Sequence, residues 1–287
     1  MSGRLFVVAT PIGNLGDVTL RALDVLRAVP LIAAEDTRLS RRLLDKHAIP
    51  TRTVSYHARS GAGRLAELLS HLRTGADLAL ITDAGTPLVS DPGGELVSAW
   101  AAEGGTIVPL PGASSVLAAL VASGVAGPRW SFEGFLPRSG RERRERIARV
   151  AADERATVLF EAPSRVPATL HDLAVACGPD RRAAVCRELT KIHEEILRDG
   201  LGRLAELAGD GEITLRGEFA IVVGERRADD AGTGTGSPAD AATEAVTAAR
   251  AEVERLVAAG SPRGDAARRV AAATGIPRRR LYAAPDR

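Results

Sequence analysis

Short apolar runs alternate with stretches of helical spacing through the first 125 residues of the chain. The runs are rich in β-branched residues and have the length of buried strands; they occupy residues 5–10, 31–34, 53–56, 78–82 and 106–110. Between two of them, leucines recur at helical spacing, at Leu65, Leu68, Leu69 and Leu72. This alternation predicts a parallel or mostly parallel sheet with helices on both faces.

A second, less regular pattern follows the small-residue stretch 122–128, which is typical of a hinge. Its strand-like runs occupy residues 157–162, 183–189, 193–200 and 218–225. Its helical segments lie near residues 140–151, 166–177 and 201–208. We expect a mixed sheet in this part of the chain. The last forty or so residues predict two or three short helices, because Gly260 and Pro262, and then Gly275 and Pro277, are typical helix stops.

These patterns divide the chain into four predicted parts. They are an N-terminal α/β domain over residues 1–122, a second α/β domain over 123–226, a flexible linker over 227–241 and a small helix-turn-helix-like module over 242–287. A length of 287 residues with 45% hydrophobic residues is enough to bury two cores. The linker is too poor in apolar residues to pack.

Composition restricts where the protein works. No stretch of the sequence is long and uncharged enough to cross a bilayer, and the N-terminus has no signal-peptide core, so we expect a cytoplasmic protein without a membrane partner. Its two cysteines, Cys177 and Cys186, lie outside any metal-binding or disulfide spacing. We therefore expect buried free thiols and no metal.

The charge is nearly balanced overall but uneven along the chain. The net charge is +2, and of 38 basic residues only Lys46 and Lys191 are lysines. Arginines concentrate in residues 138–149 and 263–287. Either block is consistent with a solvated helix face or with a nucleic-acid contact, and the sequence leaves both interpretations open.

Three glycine-rich turns follow the first, fourth and fifth predicted strands, at residues 10–17, 82–94 and 109–115. In an open parallel sheet the ligand crevice lies beyond the carboxyl ends of the strands. Glycines there allow close approach of a ligand, and Ser114 and Ser115 would begin the next helix with free hydroxyls and amides. Neither a Walker A motif nor G-x-G-x-x-G is present, which argues against nucleoside triphosphates and dinucleotides.

Eight strings, in order along residues 4–225, resemble the ribosomal RNA small subunit methyltransferase I family of the tetrapyrrole-methylase-like superfamily. They are residues 9–17, 34–38, 55–57, 82–93, 111–115, 132–138, 160–165 and 187–195. The resemblance implies a homodimer of two α/β domains of the tetrapyrrole-methylase type, with S-adenosyl-L-methionine in the interdomain cleft and a small C-terminal helical module. It also implies 2′-O-methylation of a cytidine in the decoding region of 16S ribosomal RNA, with the RNA or the 30S subunit as partner and no DNA.

The resemblance also implies which residues line the cofactor. They are Pro11, Gly85, Thr86, Pro87, Val89, Ser114 and Ser115 from the three turns and Phe160 from the second domain. Tetrapyrrole methylases often have a glycine-aspartate-proline turn where this chain has residues 85–87, Gly-Thr-Pro. That departure leaves the contact of Thr86 open.

A ribose hydroxyl is a poor nucleophile until its proton is removed or its developing charge is stabilised. Candidates for this role are Asp36, His57, Lys191 and Glu194. Each has a structural alternative. Lys191 can form a salt bridge to a neighbouring glutamate, His57 can be a hydrogen-bonded structural residue, and Asp36 can position Arg38.

Arginine forks match phosphate geometry, and guanidinium planes stack on extruded bases. Candidates for RNA contacts are Arg38, Arg138, Arg141, Arg143, Arg144 and Arg165. Two other functions stay open. One is a methyltransferase of the same superfamily acting on a tetrapyrrole or a protein, and the other is a nucleic-acid-binding regulator whose helical tail carries the function.

Overall fold

The computed structural model describes residues 2–226, 238–258, 260–274, 276 and 278–281. The chain divides into two compact units, Met1–Asp230 and Ala231–Arg287. Both predicted α/β parts lie in the first unit, and the helical tail lies in the second. No helix in the described ranges combines the length and apolar character needed to span a membrane.

A parallel sheet forms the first half of unit 1. Its strands are β1 Arg4–Val8, β2 Leu31–Ala34, β3 Thr53–Ser55, β4 Leu78–Ile81 and β5 Thr106–Leu110. They pair in the order β3-β2-β4-β1-β5, always in parallel. The helices that follow β1 to β4 along the chain are, in order, α1 Leu20–Ala28, α2 Thr37–Lys46, α3 Ala62–Arg73 and α4 Gly94–Ala102. The predicted parallel sheet is confirmed.

Helices cover this sheet on both faces. Leu78 and Leu80 of β4 pack with Trp100 in one core, while Ala79 and Ile81 pack in the core on the other face. Successive residues of a strand point to opposite faces, so a continuous apolar run such as β4 requires two covering layers. Only the loops at the strand ends are left to form a ligand site in this half.

A mixed sheet forms the second half of unit 1, as predicted. Its strands are β6 Trp130–Phe135, β7 Ala156–Glu161, β8 Arg182–Arg187, β9 Glu195–Gly200 and β10 Phe219–Val223. They pair in the order β6-β7-β10-β8-β9, with β6 and β7 parallel and the other pairs antiparallel. The accompanying helices are α5 Ser115–Ser123, α6 Gly140–Ala152, α7 Val166–Cys177 and α8 Leu201–Gly209.

Helix α5 joins the two halves. Its Val116, Ala119 and Leu120 are buried in one core with Val158 of β7 and Val222 of β10. The predicted boundary between residues 122 and 123 therefore falls at the end of a helix that packs on the second sheet. By contact, α5 belongs to the second half although it precedes that boundary.

The second unit is helical, as expected. It consists of α9 Pro238–Ala258, α10 Arg263–Thr274 and α11 Arg278–Leu281 around a core that includes Val253, Ala267 and Leu281. Helix α9 begins at Pro238, so residues 238–241 are helical and the linker prediction was wrong for them. Proline is favoured at the first helical position, and alanines follow it. Residues 227–237 of the predicted linker lie outside the described residues.

Candidate active site

The three glycine-rich loops of the first sheet are bonded to one another. Thr10 and Gly85 exchange two backbone hydrogen bonds of 2.9 Å, which join the first loop to the second. The Thr86 hydroxyl donates to the carbonyl oxygen of Ala113 at 3.1 Å, which joins the second loop to the third. Gly85 has φ +82°, a conformation that glycine adopts without strain. The loops therefore form one connected surface at the carboxyl ends of β1, β4 and β5.

A cavity of about 310 Å³ lies where this surface meets the second sheet. Its walls include Ile12 and Val89 from the first half, and Phe160 and Phe219 from the second. Pockets of about 300–1,000 Å³ with mainly apolar walls and a few polar groups are typical of small-molecule sites. The two sheets together therefore form a ligand-sized cleft.

Phe160 lies in an aromatic cluster on the wall of the cavity. Its ring centroid is 5.0 Å from that of Phe132 in an edge-to-face arrangement and 5.6 Å from that of Phe135. The chain has five phenylalanines, so three of them meet here although aromatic residues make up only 3% of the sequence. Such packing fixes the position of Phe160 against the cavity.

The predicted cofactor residues divide into three groups. Val89, Ser115 and Phe160 line the cavity. Gly85 and Thr86 hold the loops together behind it, and the remaining ones, Pro11, Pro87 and Ser114, lie in the same three loops without lining it. Ser114 caps α5 by accepting a hydrogen bond from the amide of Leu117 at 3.4 Å.

Carboxylates gather at the carboxyl ends of β2 and β4. The Asp36 amide donates to Asp83 Oδ1 at 3.0 Å, and the Asp83 amide donates to Glu35 Oε2 at 3.4 Å. Asp36 also pairs with Arg38 at 2.7 Å, and hydrogen bonds from the Arg38 side chain lower the pKa of Asp36 to about 2. A carboxylate held so firmly in its charged form is a weak proton acceptor. The structure therefore favours the alternative in which Asp36 positions Arg38.

Burial has the opposite effect on a fourth carboxylate, Asp91. Burial, and then the negative charge of Glu35, raise the pKa of Asp91 to about 6. Asp91 lines the cavity beside Val89 and Ser90. The sequence analysis did not single it out, although it lies inside the second glycine-rich loop.

His57 lies with Asp36 and Arg38 in a separate shallow pocket of about 450 Å³. Its Nδ1 accepts a hydrogen bond from the amide of Arg59 at 3.1 Å, and its own amide donates to Ser60 Oγ at 2.9 Å. His57 therefore has the hydrogen bonds expected of the structural alternative.

Lys191 is a member of an ion-paired cluster. Its Nζ lies 2.8 Å from Glu188 Oε1 and 2.9 Å from Glu218 Oε2. Burial alone would lower the pKa of Lys191, but the hydrogen bonds to the two glutamates outweigh it and raise the pKa above its ordinary value. The predicted salt bridge to Glu188 is present, and Glu218 was not foreseen. Glu194 accepts a hydrogen bond from the Thr190 amide at 2.7 Å and stabilises the same segment.

Two of the predicted RNA-contacting arginines have structural partners inside the second half. Arg143 is only 8% exposed, and its guanidinium donates to Asp172 Oδ2 at 2.8 Å and to Thr169 Oγ1 at 3.0 Å. Its position on α6 points inward toward α7, where it has a structural role, and its side chain also lines the pocket formed by Arg138 and Arg165. Arg165 pairs with buried Glu161 at 3.2 Å and donates to the Leu136 carbonyl oxygen.

The other predicted arginines of this region face solvent. Arg138 is exposed just before α6, Arg141 and Arg144 are exposed in its first turns, and Arg38 is exposed on α2. Arg138 and Arg165 line a pocket of about 670 Å³ together with Ser139 and Ser164. Ala162 lies in the walls of both this arginine pocket and the apolar cavity, so the two adjoin.

Comparisons with known proteins agree with this arrangement. Residues 4–205 match the family model described as Tetrapyrrole (Corrin/Porphyrin) Methylases. A protein of Synechocystis sp. named Ribosomal RNA small subunit methyltransferase I is 44% identical over 98% of this chain and 96% of its own length. A Bacillus subtilis protein of the same name is 38% identical over 98% of this chain and 93% of its own.

The chain belongs to the ribosomal RNA small subunit methyltransferase I family. Solved structures extend the likeness to the fold of more distant tetrapyrrole methylases. A cobalt precorrin-4 methyltransferase has a TM-score of 0.59 at 18% identity, covering 77% of this chain and 94% of its own. A uroporphyrin-III C-methyl transferase from Thermus thermophilus complexed with S-adenyl homocysteine has a TM-score of 0.57 at 20% identity, covering 78% of this chain and 98% of its own.

In this member of the methyltransferase I family, the second sheet contributes cavity residues that sequence analysis missed. They are Glu161, Ala162, Pro163, Cys186, Leu189 and residues 217–220. Cys186 is the buried thiol that was expected, and burial raises its pKa to about 11. The missed residues lie where the amino end of β10 pairs with the carboxyl ends of β7 and β8, an edge that the rule for parallel strands does not predict.

Proposed function

We propose that this chain transfers a methyl group from S-adenosyl-L-methionine to the ribose 2′-hydroxyl of a cytidine in the decoding region of 16S ribosomal RNA. The observation that carries the proposal is the full-length similarity to curated small-subunit rRNA methyltransferases I, combined with a ligand-sized cleft formed by both sheets. The protein works in the cytoplasm, where its RNA substrate is assembled into ribosomes.

The cavity fits a nucleoside methyl donor. Ile12, Val89 and Phe160 supply apolar walls for the adenosine part, and Ser115 contributes a hydroxyl at the start of α5. Gly85 and Thr86 keep the three loops in register behind these walls. Pro11, Pro87 and Ser114 belong to the same loops and complete the proposed cofactor site.

The donor, when bound, supplies a methyl group that its sulfonium makes electrophilic. The protein's main contribution is orientation, which can lower a barrier by several kcal/mol when two reactants are held in line. The hydrogen-bonded loops and the packed Phe160 ring provide that orientation. Removal of the hydroxyl proton is a separate requirement, for which Asp36, His57, Lys191 and Glu194 were the candidates from sequence.

The RNA surface is the exposed side of the arginine pocket. Arg138, Arg141 and Arg144 offer guanidinium groups at the start of α6, and Arg165 lies in the pocket wall. This surface adjoins the cofactor cavity at Ala162, so phosphates bound there would bring a neighbouring ribose toward the methyl donor. Arg38 provides a further exposed guanidinium in the first turn of α2.

A homodimer is part of the proposal. Large apolar side chains remain exposed on unit 1, including Leu117 and Val121 on the outer face of α5, and Ile192, which is 98% exposed. Exposed apolar surface of this kind is typical of protein contacts, and a second copy of the chain is the partner that we propose. Sedimentation of the purified protein measures this directly.

The function is tested by incubating the protein with methyl-labelled S-adenosyl-L-methionine and small ribosomal subunits from cells that lack the enzyme. We expect label in one cytidine, in a linkage that blocks alkaline cleavage of the adjoining phosphodiester, as 2′-O-methylation does. Label in the base would exclude the ribose as acceptor. A tetrapyrrole precursor and total protein, offered in parallel, test the alternative acceptors suggested by the structural neighbours.

A further inference from the structure

The arginine pocket contains hydrogen-bond donors that have no acceptor in the described part of unit 1. The Arg138 side chain lines this pocket of about 670 Å³ and forms no ion pair or hydrogen bond within residues 2–226. Ser139 precedes α6, but its side chain does not cap the helix. The Ser164 hydroxyl lines the same pocket and has no hydrogen-bond partner in that range either. The pocket therefore offers a guanidinium and two hydroxyls to an acceptor from outside the chain.

Arg165 is held in place by three contacts and keeps one nitrogen for a ligand. Its Nε lies 3.2 Å from Oε1 of buried Glu161. Its Nη2 donates to the carbonyl oxygens of Leu136 at 2.8 Å and Pro137 at 3.1 Å. Its Nη1 has no acceptor within residues 2–226, although the side chain lines the pocket. Arg165 is thus a fixed donor, and little side-chain entropy remains to be lost when a ligand binds it.

Arg143 differs from the other two arginines because its nitrogens are all occupied. Nε and Nη2 donate to Asp172 Oδ2, at 3.2 and 2.8 Å, and Nη2 also donates to Thr169 Oγ1. Nη1 donates to the Pro137 carbonyl oxygen at 3.2 Å. Arg143 therefore belongs to the wall of the pocket and has no nitrogen left for a ligand.

The charges around the pocket leave one positive charge without a counterion. Asp172 balances Arg143, and Glu161 balances Arg165 from behind the wall. The charge of Arg138 remains. A phosphodiester carries one negative charge, and its oxygens accept hydrogen bonds from guanidinium and hydroxyl groups. Both the charge and the donors of the pocket therefore match one phosphodiester group.

We propose that the arginine pocket binds a single phosphodiester group of the RNA backbone, through Arg138, Arg165 and the hydroxyls of Ser139 and Ser164. The assignment of this phosphodiester to RNA rests on the proposed function. Glu161 also lines the cofactor cavity, so its ion pair with Arg165 fixes the bound phosphate relative to the methyl donor. Phosphate contacts of this kind set the register of a nucleic-acid strand.

The site itself is tested with dimethyl phosphate, a small phosphodiester, by broadening of its phosphorus NMR signal at constant ionic strength. Full-length wild type is compared with Arg138→Met and with the matched control Arg149→Met, which removes an exposed arginine in the last turn of α6. We expect wild type and the control to broaden the signal and Arg138→Met to lose most of the effect. Equal broadening by all three proteins would overturn the proposal. Binding of inorganic phosphate without binding of dimethyl phosphate would also overturn it.

The role in RNA binding is tested by methylation of small ribosomal subunits at increasing subunit concentration. We expect Arg138→Met to raise the half-saturating concentration about tenfold, as loss of a charge-assisted hydrogen bond does, and to change the rate at saturation by no more than about twofold. Arg165→Lys keeps a cation for Glu161 but loses the guanidinium fork, so it should behave similarly. Affinity for S-adenosylhomocysteine should stay unchanged in both variants.

Two results of the methylation experiment would contradict the assignment to RNA. The first is an unchanged half-saturating concentration in Arg138→Met, and the second is an equal rise in the Arg149→Met control, which would indicate a general effect of charge. In both cases methylation by wild type would leave the proposed function intact. If wild type binds dimethyl phosphate but methylates no RNA, the proposed function fails and the assignment to RNA fails with it, whereas the phosphodiester site stands.

Discussion

The hydroxyl of Thr86 lies 3.1 Å from the carbonyl oxygen of Ala113 and donates a hydrogen bond to it. Its neighbour Gly85 is bonded through the backbone to Thr10. Two consecutive residues thus connect all three loops of the first sheet. The contact of Thr86, which the sequence left open, is structural, and the shape of the cofactor cavity depends on it.

Replacing Thr86 with valine keeps the side-chain volume and removes this hydrogen bond. A buried or half-buried hydrogen bond contributes about 1 kcal/mol, so affinity for S-adenosylhomocysteine should fall roughly fivefold. Calorimetry measures this change. Thr86→Ser keeps the hydroxyl and serves as the matched control. Equal affinity of the valine variant and wild type would show that the loops hold their register without this bond.

Arg143 should contribute to stability and not to RNA binding. Arg143→Met removes the hydrogen bonds to Asp172 and Thr169 and leaves a partly buried carboxylate without its cation. The free energy of unfolding should fall by about 2–3 kcal/mol, as is usual when one partner of a charged hydrogen-bonded pair is removed. Urea denaturation measures the loss. A stable variant with weakened RNA binding would contradict the inward position of Arg143.

The exposed arginines should behave in the opposite way. Changing Arg138, Arg141 and Arg144 together to alanine should leave the melting temperature nearly unchanged. The change should weaken binding to all RNA sequences to a similar extent. The slope of log affinity against log salt should decrease by about 2–3, since each of the three lost phosphate contacts removes about 0.7–0.9. Fluorescence anisotropy at several salt concentrations tests this. Cofactor affinity is the internal control.

Lys191→Met keeps the aliphatic part that packs over Gly13 but leaves Glu188 and Glu218 facing each other without a cation. We expect a loss of about 1 kcal/mol of stability at neutral pH. The pKa of Glu188 is lowered and that of Lys191 is raised in the folded protein. The difference in stability between variant and wild type should therefore shrink as the pH falls through the lowered pKa of Glu188. It should also shrink as the pH rises through the raised pKa of Lys191. Thermal unfolding across pH tests both limits.

The ionised Asp91 carboxylate should lower the free energy of unfolding. Its pKa is raised from 3.8 to about 6 on folding, so the folded state binds more protons and stability falls as the pH rises through that interval. Asp91→Asn should therefore be more stable than wild type at pH 7.5, by about 1–2 kcal/mol after screening by solvent, and no more stable at pH 4. Urea denaturation at the two pH values measures the gain. A destabilised variant at pH 7.5 would mean that the hydrogen bond between Asp91 and Thr82 outweighs the cost of burying the charge.

Strong periodicity made most of the fold predictable. The strands of the first sheet are continuous apolar runs bounded by turns, so β1 to β5 lie within two residues of their predicted limits. Strand β6 was missed because the glycine bulge at Gly134 breaks its alternation of side chains. The start of α9 was missed because a polar, glycine-containing stretch precedes it, while the proline that begins the helix also resembles a helix stop.

The site was predictable where it follows from strand order and not where it follows from packing. Loops at the carboxyl ends of parallel strands must meet, so Ser115 could be anticipated at the cavity from strand order, while Val89 was expected from the family resemblance. Nothing in the spacing of Glu188 and Glu218 shows that they share Lys191. Likewise, the sequence of the arginine block in α6 does not show which arginine faces inward. The inward position of Arg143 depends on its contact with Asp172 of α7.

Helix α5 has a consequence for how such an enzyme can evolve. The buried face of α5 packs on the second sheet, and the first turn of the same helix contributes Ser115 to the cavity wall. The two halves are therefore not interchangeable modules. A recombination event at residue 122 would pair a helix with a foreign sheet and disturb catalysis and folding together. Exchange of acceptor specificity among relatives is therefore expected to proceed through surface substitutions around the cleft, and not through the shuffling of halves.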